Sequence, residues 1–265
     1  MSDVARVPEP AVGVRGNPGR FEPAEAGRRN IPSTIFAPVR SQTAFEETMD
    51  RLGNAIKLGL LSPGTRLPAE RELCEQLGIA RSTLRQALTA LVQSGYLIAV
   101  RGRGGGTFVA DPPPVIERPT AAVLAGWREA CDARMAVELG VAVLAAERAE
   151  PAVIGPLEEL VEAMDALMDD FPAYRQADVR FHVGLAEATG SARLVAQMTE
   201  AQAAMTDLIH YIAHPREVLA WSNAQHARLV TCLERHDSAT AVRVMAEHLH
   251  GTEHVLAGLL PDPGA

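Results

Sequence analysis

From Gln42 the apolar residues Phe45, Met49, Leu52, Ile56 and Leu60 return every three or four positions, the period of one helical face. Gly59 and the Ser62-Pro63-Gly64 turn mark where that helix ends. After Pro68 the run "AERELCEQLG" predicts a short helix with Leu73 and Leu77 inward and Gly78 as its stop. Glu70 and Glu72 sit in its first turn, where the helix dipole favours acidic side chains. A third helix follows at once, with Leu84, Leu88, Leu91 and Val92 as its buried stripe and Gly95 placed for a left-handed cap. Then "YLIAV" and "TFVA" read as two strands separated by "RGRGGG", a ribbon with a flexible basic tip.

Upstream of about residue 38, Pro, Gly, Arg and Glu mix without period, which predicts a disordered arm over 1–38. The three helices and the ribbon make a domain over 39–110. A proline-rich, extended spacer, "ADPPPVIERP", separates it from the rest and sets a linker over 111–119. Residues 120–260 lack strand alternation and are rich in Ala, Leu, Val and Glu. Helices are expected at about 121–149, 152–169, 172–188, 191–213, 216–235 and 238–259, broken by Pro151, Phe171-Pro172, Gly190, Pro215 and the His236-Asp237-Ser238 turn. The fold class is therefore mainly α, a helix-turn-helix with a wing joined to an all-helical bundle.

Charge sharpens this division. Residues 1–39 carry 5 basic and 4 acidic side chains, residues 40–110 carry 9 and 6, and residues 111–265 carry 11 and 23, within a net charge of -8. A basic small domain beside an acidic larger one suits a nucleic-acid binder, because phosphates need positive potential on one face only. No window is long and apolar enough for a membrane span, and the N-terminus lacks the apolar run of a secretory signal, so no membrane partner and a cytoplasmic location are expected. Cys74, Cys131 and Cys232 are far apart and form no CxxC pair, and read as reduced thiols.

A short helix, a tight turn at Gly78-Ile79 and a second helix that opens with polar residues is the arrangement of a helix-turn-helix. Arg81 and Arg85 are four apart on the face opposite Leu84 and Leu88, bordered by Ser82, Gln86 and Thr89. The helix N-terminus adds its own positive end and free amides. Arg101-Gly102-Arg103 at the ribbon tip is a second basic element whose glycine permits close approach to a groove. Alone, the Arg pair can be a solvated face and "RGRGGG" an ordinary hairpin; their ordered succession favours DNA. The stretch "LLSPGTRLPAERELCEQLGIARSTLRQALTALVQSGYLIAVRGRGGGTFVAD" resembles the DNA-binding domain of GntR-type winged-helix transcription regulators. That resemblance implies DNA contacts by Arg71 from the second helix, by Arg81, Ser82, Thr83 and Arg85 from the recognition helix, and by Gly102 with Arg101 from the wing, and the basic ribbon tip adds Arg103. Ala80 stands where a hydroxyl or charged residue is common, which implies weaker base readout there.

In the second domain Asp178 and His182 are four apart on one helical face. His226 and His248 stand eleven residues before and after Asp237, so two antiparallel helices place them at equal height, each about 16 Å from the turn. One Asp and three His suit Zn, Ni, Mn or Fe, with zinc the expected occupant on purification. His210, His214, His236, His250 and His254 are expected at the surface or satisfied in the core. The pattern D-x-x-F-H, a later His and a final H-L resembles the FCD-type effector domain of the FadR subgroup, a bundle of six or seven helices around a polar pocket. That resemblance implies a metal held by Asp178, His182, His226 and His248. It also implies that Arg134, in "ARMAVELG", faces the pocket and holds a carboxylate; the alternative is a surface ion pair with Glu138. Ser191 replaces a common Asn and can still cap a helix. The expectation is a dimeric regulator of the repressor class, not an enzyme, that binds a palindromic double-stranded DNA operator and responds to a small carboxylate effector. A metal-dependent hydrolase fused to a DNA-binding domain and a ligand-independent DNA-architectural protein are the alternatives; neither GxSxG nor HExxH is present.

Overall fold

The structure is a computed structural model that describes residues 44–113, 121–209 and 215–259. The expected arm at 1–38 and most of the expected linker lie outside the described residues, as do His210 and His214. Helices α1 (Ala44–Lys57), α2 (Glu70–Leu77) and α3 (Arg81–Gln93) precede an antiparallel ribbon of β1 (Leu97–Val100) and β2 (Gly106–Val109). Its register runs from Leu97 opposite Val109 to Val100 opposite Gly106. Leu52, Ile56, Leu67, Leu73, Leu84, Leu88, Leu91, Leu97 and Val109 close one small core. The turn glycines do what their positions require: Gly78 caps α2 at φ 66°, and its amide region closes on Cys74. At the ribbon tip a Cβ on Gly105 would strike the Val100 carbonyl, so no other residue fits that hairpin without a shift.

The helical domain contains α4 (Ala121–Ala125), α5 (Trp127–Arg148), α6 (Pro151–Ala166), α7 (Phe171–Ala188), α8 (Ala192–Ile209), α9 (Arg216–Glu234) and α10 (Ser238–Leu259). Local signals set the starts: Pro151 opens α6, Asp170 accepts from the Ala173 amide, and Asp237 from the Thr240 amide at 3.0 Å. Ser191 Oγ accepts from Leu194 at 3.4 Å, so the serine caps α8. His236 takes φ 51° in the tight turn between α9 and α10 and contacts the Ala146 carbonyl at 2.9 Å.

Two expectations change. The helix expected over 121–149 is two, divided at Gly126, because Trp127 turns in to form a separate core with Cys131, Met205, Leu208, Ile209 and Leu256. The first stripe also ends early. Leu60 belongs by spacing to α1, yet it lies past the helix end and packs against the core of the helical domain, in which the neighbouring Leu58 is buried. A buried leucine of this kind contributes about 1.5–3 kcal/mol, here to the seam between domains instead of to its own domain.

Candidate functional site

On the DNA-binding domain, Arg81, Ser82 and Arg85 are exposed at the start of α3, and Thr83 is half-buried. The two arginines meet at a residue that the periodicity assigned only to a helix dipole: Glu70 of α2 lies 3.1 Å from Arg81 Nε and 3.7 Å from Arg85 Nε. Glu70 thus orients both guanidinium groups from across the turn, a contact eleven residues apart that no helical period announces. Arg71 pairs along its own helix with Glu75 at 2.7 Å and is not drawn into that cluster. Arg101, Gly102 and Arg103 are exposed at the wing tip, with Gly102 at φ 95°. Arg66 braces the wing by donating to the Gly105 carbonyl at 2.7 Å.

In the helical domain the four metal candidates come together from three helices. His182 on α7, His226 on α9 and His248 on α10 are buried, and one ring nitrogen from each lies within 4.8 Å of the others. The antiparallel α9 and α10 bring the His226 and His248 ring centres to 4.7 Å, as equal spacing from the turn requires. Asp178 Oδ1 lies 3.5 Å from His226 Nε2 and 3.9 Å from His182 Nε2, one step looser than the three imidazoles.

Around them is a ring of paired charge. Arg134 and Glu138 on α5 do pair, but buried and not on the surface, with Nε to Oε1 at 2.6 Å. Glu138 Oε1 also accepts from Gln202 Nε2 at 2.8 Å, and its Oε2 lies 2.6 Å from His182 Nδ1, outside hydrogen-bond alignment. Arg175 binds Asp178 Oδ2 and reaches Gln202 and Thr206 on α8. Burial opposes ionisation of Asp178, yet Arg175 and then the histidines outweigh it and hold the carboxyl at about 2. The same balance, with Arg134 and then His182 as the stabilising groups, holds Glu138 well below the usual carboxylate range. Burial pushes His226 down to about 3, against the pull of Asp178, and pushes His248 down as well, helped by the neighbouring histidines. At neutral pH this gives ionised carboxylates and at least two neutral imidazoles, the protonation state in which such groups bind metals.

The donor set fits a borderline divalent ion. Both ring nitrogens of His182 and of His226 are buried without a hydrogen-bond partner, which is costly unless something else satisfies them. Glu138 Oε2 stands close enough to His182 Nδ1 to become the carboxylate partner that orients a metal-binding histidine, once the two are aligned. Next to this cluster is a cavity of about 70 Å³ whose wall includes Arg134, Tyr174, Arg175, Asp178, Ser222 and His248. Beyond Glu138 and a 3.5 Å contact with His248 Nε2, Arg134 has no acceptor among the described residues, so its remaining N–H groups can serve a ligand. Sequence reasoning missed Arg175, Gln202, Tyr174 and Glu70. Only Arg175 carried a signal, its position three residues before Asp178 on the same helix.

A winged helix-turn-helix followed by a helical domain with a buried polar site is the architecture of a DNA-binding regulator. Residues 45–109 match the family described as "Bacterial regulatory proteins, gntR family", and residues 129–251 match the FCD domain. The chain is 32% identical over 232 residues to the putative HTH-type transcriptional regulator RmpR of Mycobacterium gastri, covering 82% of this chain and 81% of the relative. It is 32% identical over 221 residues to the putative L-lactate dehydrogenase operon regulatory protein of Escherichia coli, covering 77% and 83%. In fold it is similar to E. coli McbR/YncC, with a TM-score of 0.52 at 22% identity over 82% of this chain and 99% of that one. The chain belongs to the GntR family of DNA-binding transcription regulators and carries an FCD domain; its relatives are regulators and not enzymes, which sets the hydrolase alternative aside. No helix among the described residues is long and apolar enough to cross a membrane.

Proposed function

We propose that this protein is a cytoplasmic, homodimeric repressor whose affinity for a palindromic operator changes when a small carboxylate binds beside a divalent metal, zinc on purification. Residues 39–110 carry the DNA contacts, from Arg71, Arg81, Ser82, Thr83, Arg85, Arg101, Gly102 and Arg103. Residues 120–260 carry the metal on Asp178, His182, His226 and His248 and the effector on Arg134, and 111–119 connect the two. The observation that carries the reading is the buried trio of histidines, with four ring nitrogens lacking partners, at the wall of a cavity lined by Arg134. The metal would supply a positively charged anchor for an oxygen ligand, and Arg134 would hold the carboxylate. A cavity of about 70 Å³ holds several waters or an acid of a few carbon atoms. The E. coli relative named for an L-lactate dehydrogenase operon supports an acid of that size. Dimerisation follows from the few base pairs that one helix-turn-helix reads, since two-fold symmetry doubles the site.

Metal analysis and operator titration of His226→Ala beside the parent test this reading. The parent is expected to retain about one ion per chain, as a single site that keeps a position for an oxygen ligand would. The variant is expected to lose metal and effector response while it keeps basal DNA binding. Full metal occupancy in the variant, or an intact response without metal, overturns it.

A further inference from the structure

The helices that build the buried site also touch the DNA-binding domain, by their opposite faces. On α7, Asp178 and His182 face the site, while Gln176 and Arg180 lie about 160–200° around the helix. Gln176 Nε2 and Arg180 Nη2 both donate to the Gly59 carbonyl, at 3.3 and 3.0 Å. Gly59 stands at φ 67°, and a Cβ there would collide with the Gln176 amide, so the approach is close. On α8, Gln202 and Thr206 serve the site, while the neighbouring Ala203 carbonyl and Asp207 hold Lys57 at the end of α1. Leu58, between Lys57 and Gly59, is buried in the helical domain. The segment 57–59 is therefore a joint gripped by both helices.

One side chain ties α7 to α8 at the site. Arg175 donates to Asp178 Oδ2 on its own helix, and across to the Gln202 carbonyl at 3.2 Å, Gln202 Oε1 at 2.9 Å and Thr206 Oγ1 at 2.9 Å. We propose that Arg175 is a positioning residue that transmits occupancy of the Asp178 site to the joint at Lys57–Gly59. This rests on the metal reading above. Asp178 divides its two oxygens, Oδ1 toward His226 and His182 and Oδ2 toward Arg175. Charge drawn from the carboxylate through Oδ1 weakens its hold on Arg175, and a cation placed there also repels the guanidinium. Arg175 then shifts its weight to Gln202 and Thr206, which alters how α7 sits on α8. There is room for such a shift: Arg175 and Thr206 also line a second cavity, of about 470 Å³, whose other wall is Ile56, Lys57, Leu58 and Gly59. A displacement at that wall reaches α1, which packs on the recognition helix α3.

The test is zinc titration with amide hydrogen exchange on the full chain, for the parent, Arg175→Lys and Arg180→Gln. Leu58, Gly59 and Leu61 report the joint, because their amides bond to Asn54, Ile56 and Ala55. In the parent, saturating zinc is expected to change their exchange rates by about fivefold or more, the lower end of ordinary allosteric coupling. Lysine keeps the charge but cannot span Asp178 and α8 together. Arg175→Lys is therefore expected to bind zinc within about tenfold of the parent, the mild end for a partner of a metal ligand. Its joint amides are expected to change by less than about twofold, below the usual coupling range. Arg180 is exposed and has no part in the site, so Arg180→Gln keeps the test open if the lysine variant fails to fold. It too should bind zinc as the parent does and lose the change at the joint. Zinc bound by the parent without any change at the joint, or a change that survives in either variant, overturns the proposal. Absence of zinc binding by the parent overturns the metal reading itself, and this inference falls with it.

Discussion

On the recognition helix Arg81 and Arg85 have side chains 71% and 67% exposed and share one carboxylate, Glu70, itself 35% exposed. In the helical domain Arg134 and Glu138 are 4% and 0% exposed, and each has further buried partners. The same pairing of guanidinium with carboxylate therefore does two different things. At the surface, water screens the pair, and Glu70 can give way to a phosphate or a base edge without leaving a bare charge behind. Inside, no water replaces a lost partner, so the charges must be balanced among themselves before any ligand arrives. The exposed region is a set of separable contacts; the buried one is a single network.

The largest expected effect breaks or confirms that contrast directly. Glu138→Ala leaves Arg134 buried without its counter-ion and His182 without its neighbour. Removal of one partner of a buried pair costs about 3–5 kcal/mol, to be read from urea unfolding of metal-free protein. The matching change outside, Glu70→Ala, is expected to cost about 0–1 kcal/mol, as for any exposed pair. Similar losses for both variants would mean that the buried network is as well solvated as the surface.

A second expected effect is the response to acid. His226 is held at about 3 in the folded chain against an ordinary 6.5. Below 6.5 the unfolded chain therefore binds a proton that the folded chain refuses, so stability is present above 6.5 and falls as pH drops toward 3. Over that window one such group contributes about 1.4 kcal/mol per pH unit. Burial depresses His248 in the same direction. Asp178, held at about 2, adds its own loss only between its usual value near 3.8 and 2. Metal-free protein should accordingly lose stability between pH 6.5 and 4.5, before the carboxylates titrate, and His226→Gln should flatten that slope. An unchanged urea midpoint over this range in the parent would place His226 in water.

How much of each region could be read in advance follows from the same difference. Helical and strand periods revealed α1, α2, α3 and the wing, and the exposed arginines of α3 and the wing tip lie close together in sequence. Asp178, His182, His226 and His248 were legible because helical spacing and a hairpin turn relate them by simple counting. Their partners were not: Gln202 reaches Glu138 across 64 positions, and no period in α8 distinguishes a glutamine that faces a carboxylate from one that faces water. Leu60 misled for a similar reason, since a hydrophobic residue at a helix end states that it will be buried but not in which domain.

The smallest expected effects test whether the exposed contacts are as separable as the comparison claims. Arg81 and Arg85 are exposed at the start of α3, and Arg101 and Arg103 are exposed at a wing tip where Gly102 and Gly104 take positive φ. Arg81→Ala or Arg85→Ala should therefore cost about 1–3 kcal/mol of specific operator binding if each reads a base. Arg103→Ala should lower affinity more evenly across sequences and reduce the slope of log affinity against log salt by about 0.9, the value for one lost phosphate contact. Operator titrations at several salt concentrations, on matched and scrambled sites, separate the two signatures. The double variant Arg81→Ala with Arg103→Ala should give the sum of the single losses to within about 0.5 kcal/mol, because distant sites without shared partners add. A larger deviation, or unchanged salt dependence in all three variants, would show that helix and wing do not engage DNA as independent contacts.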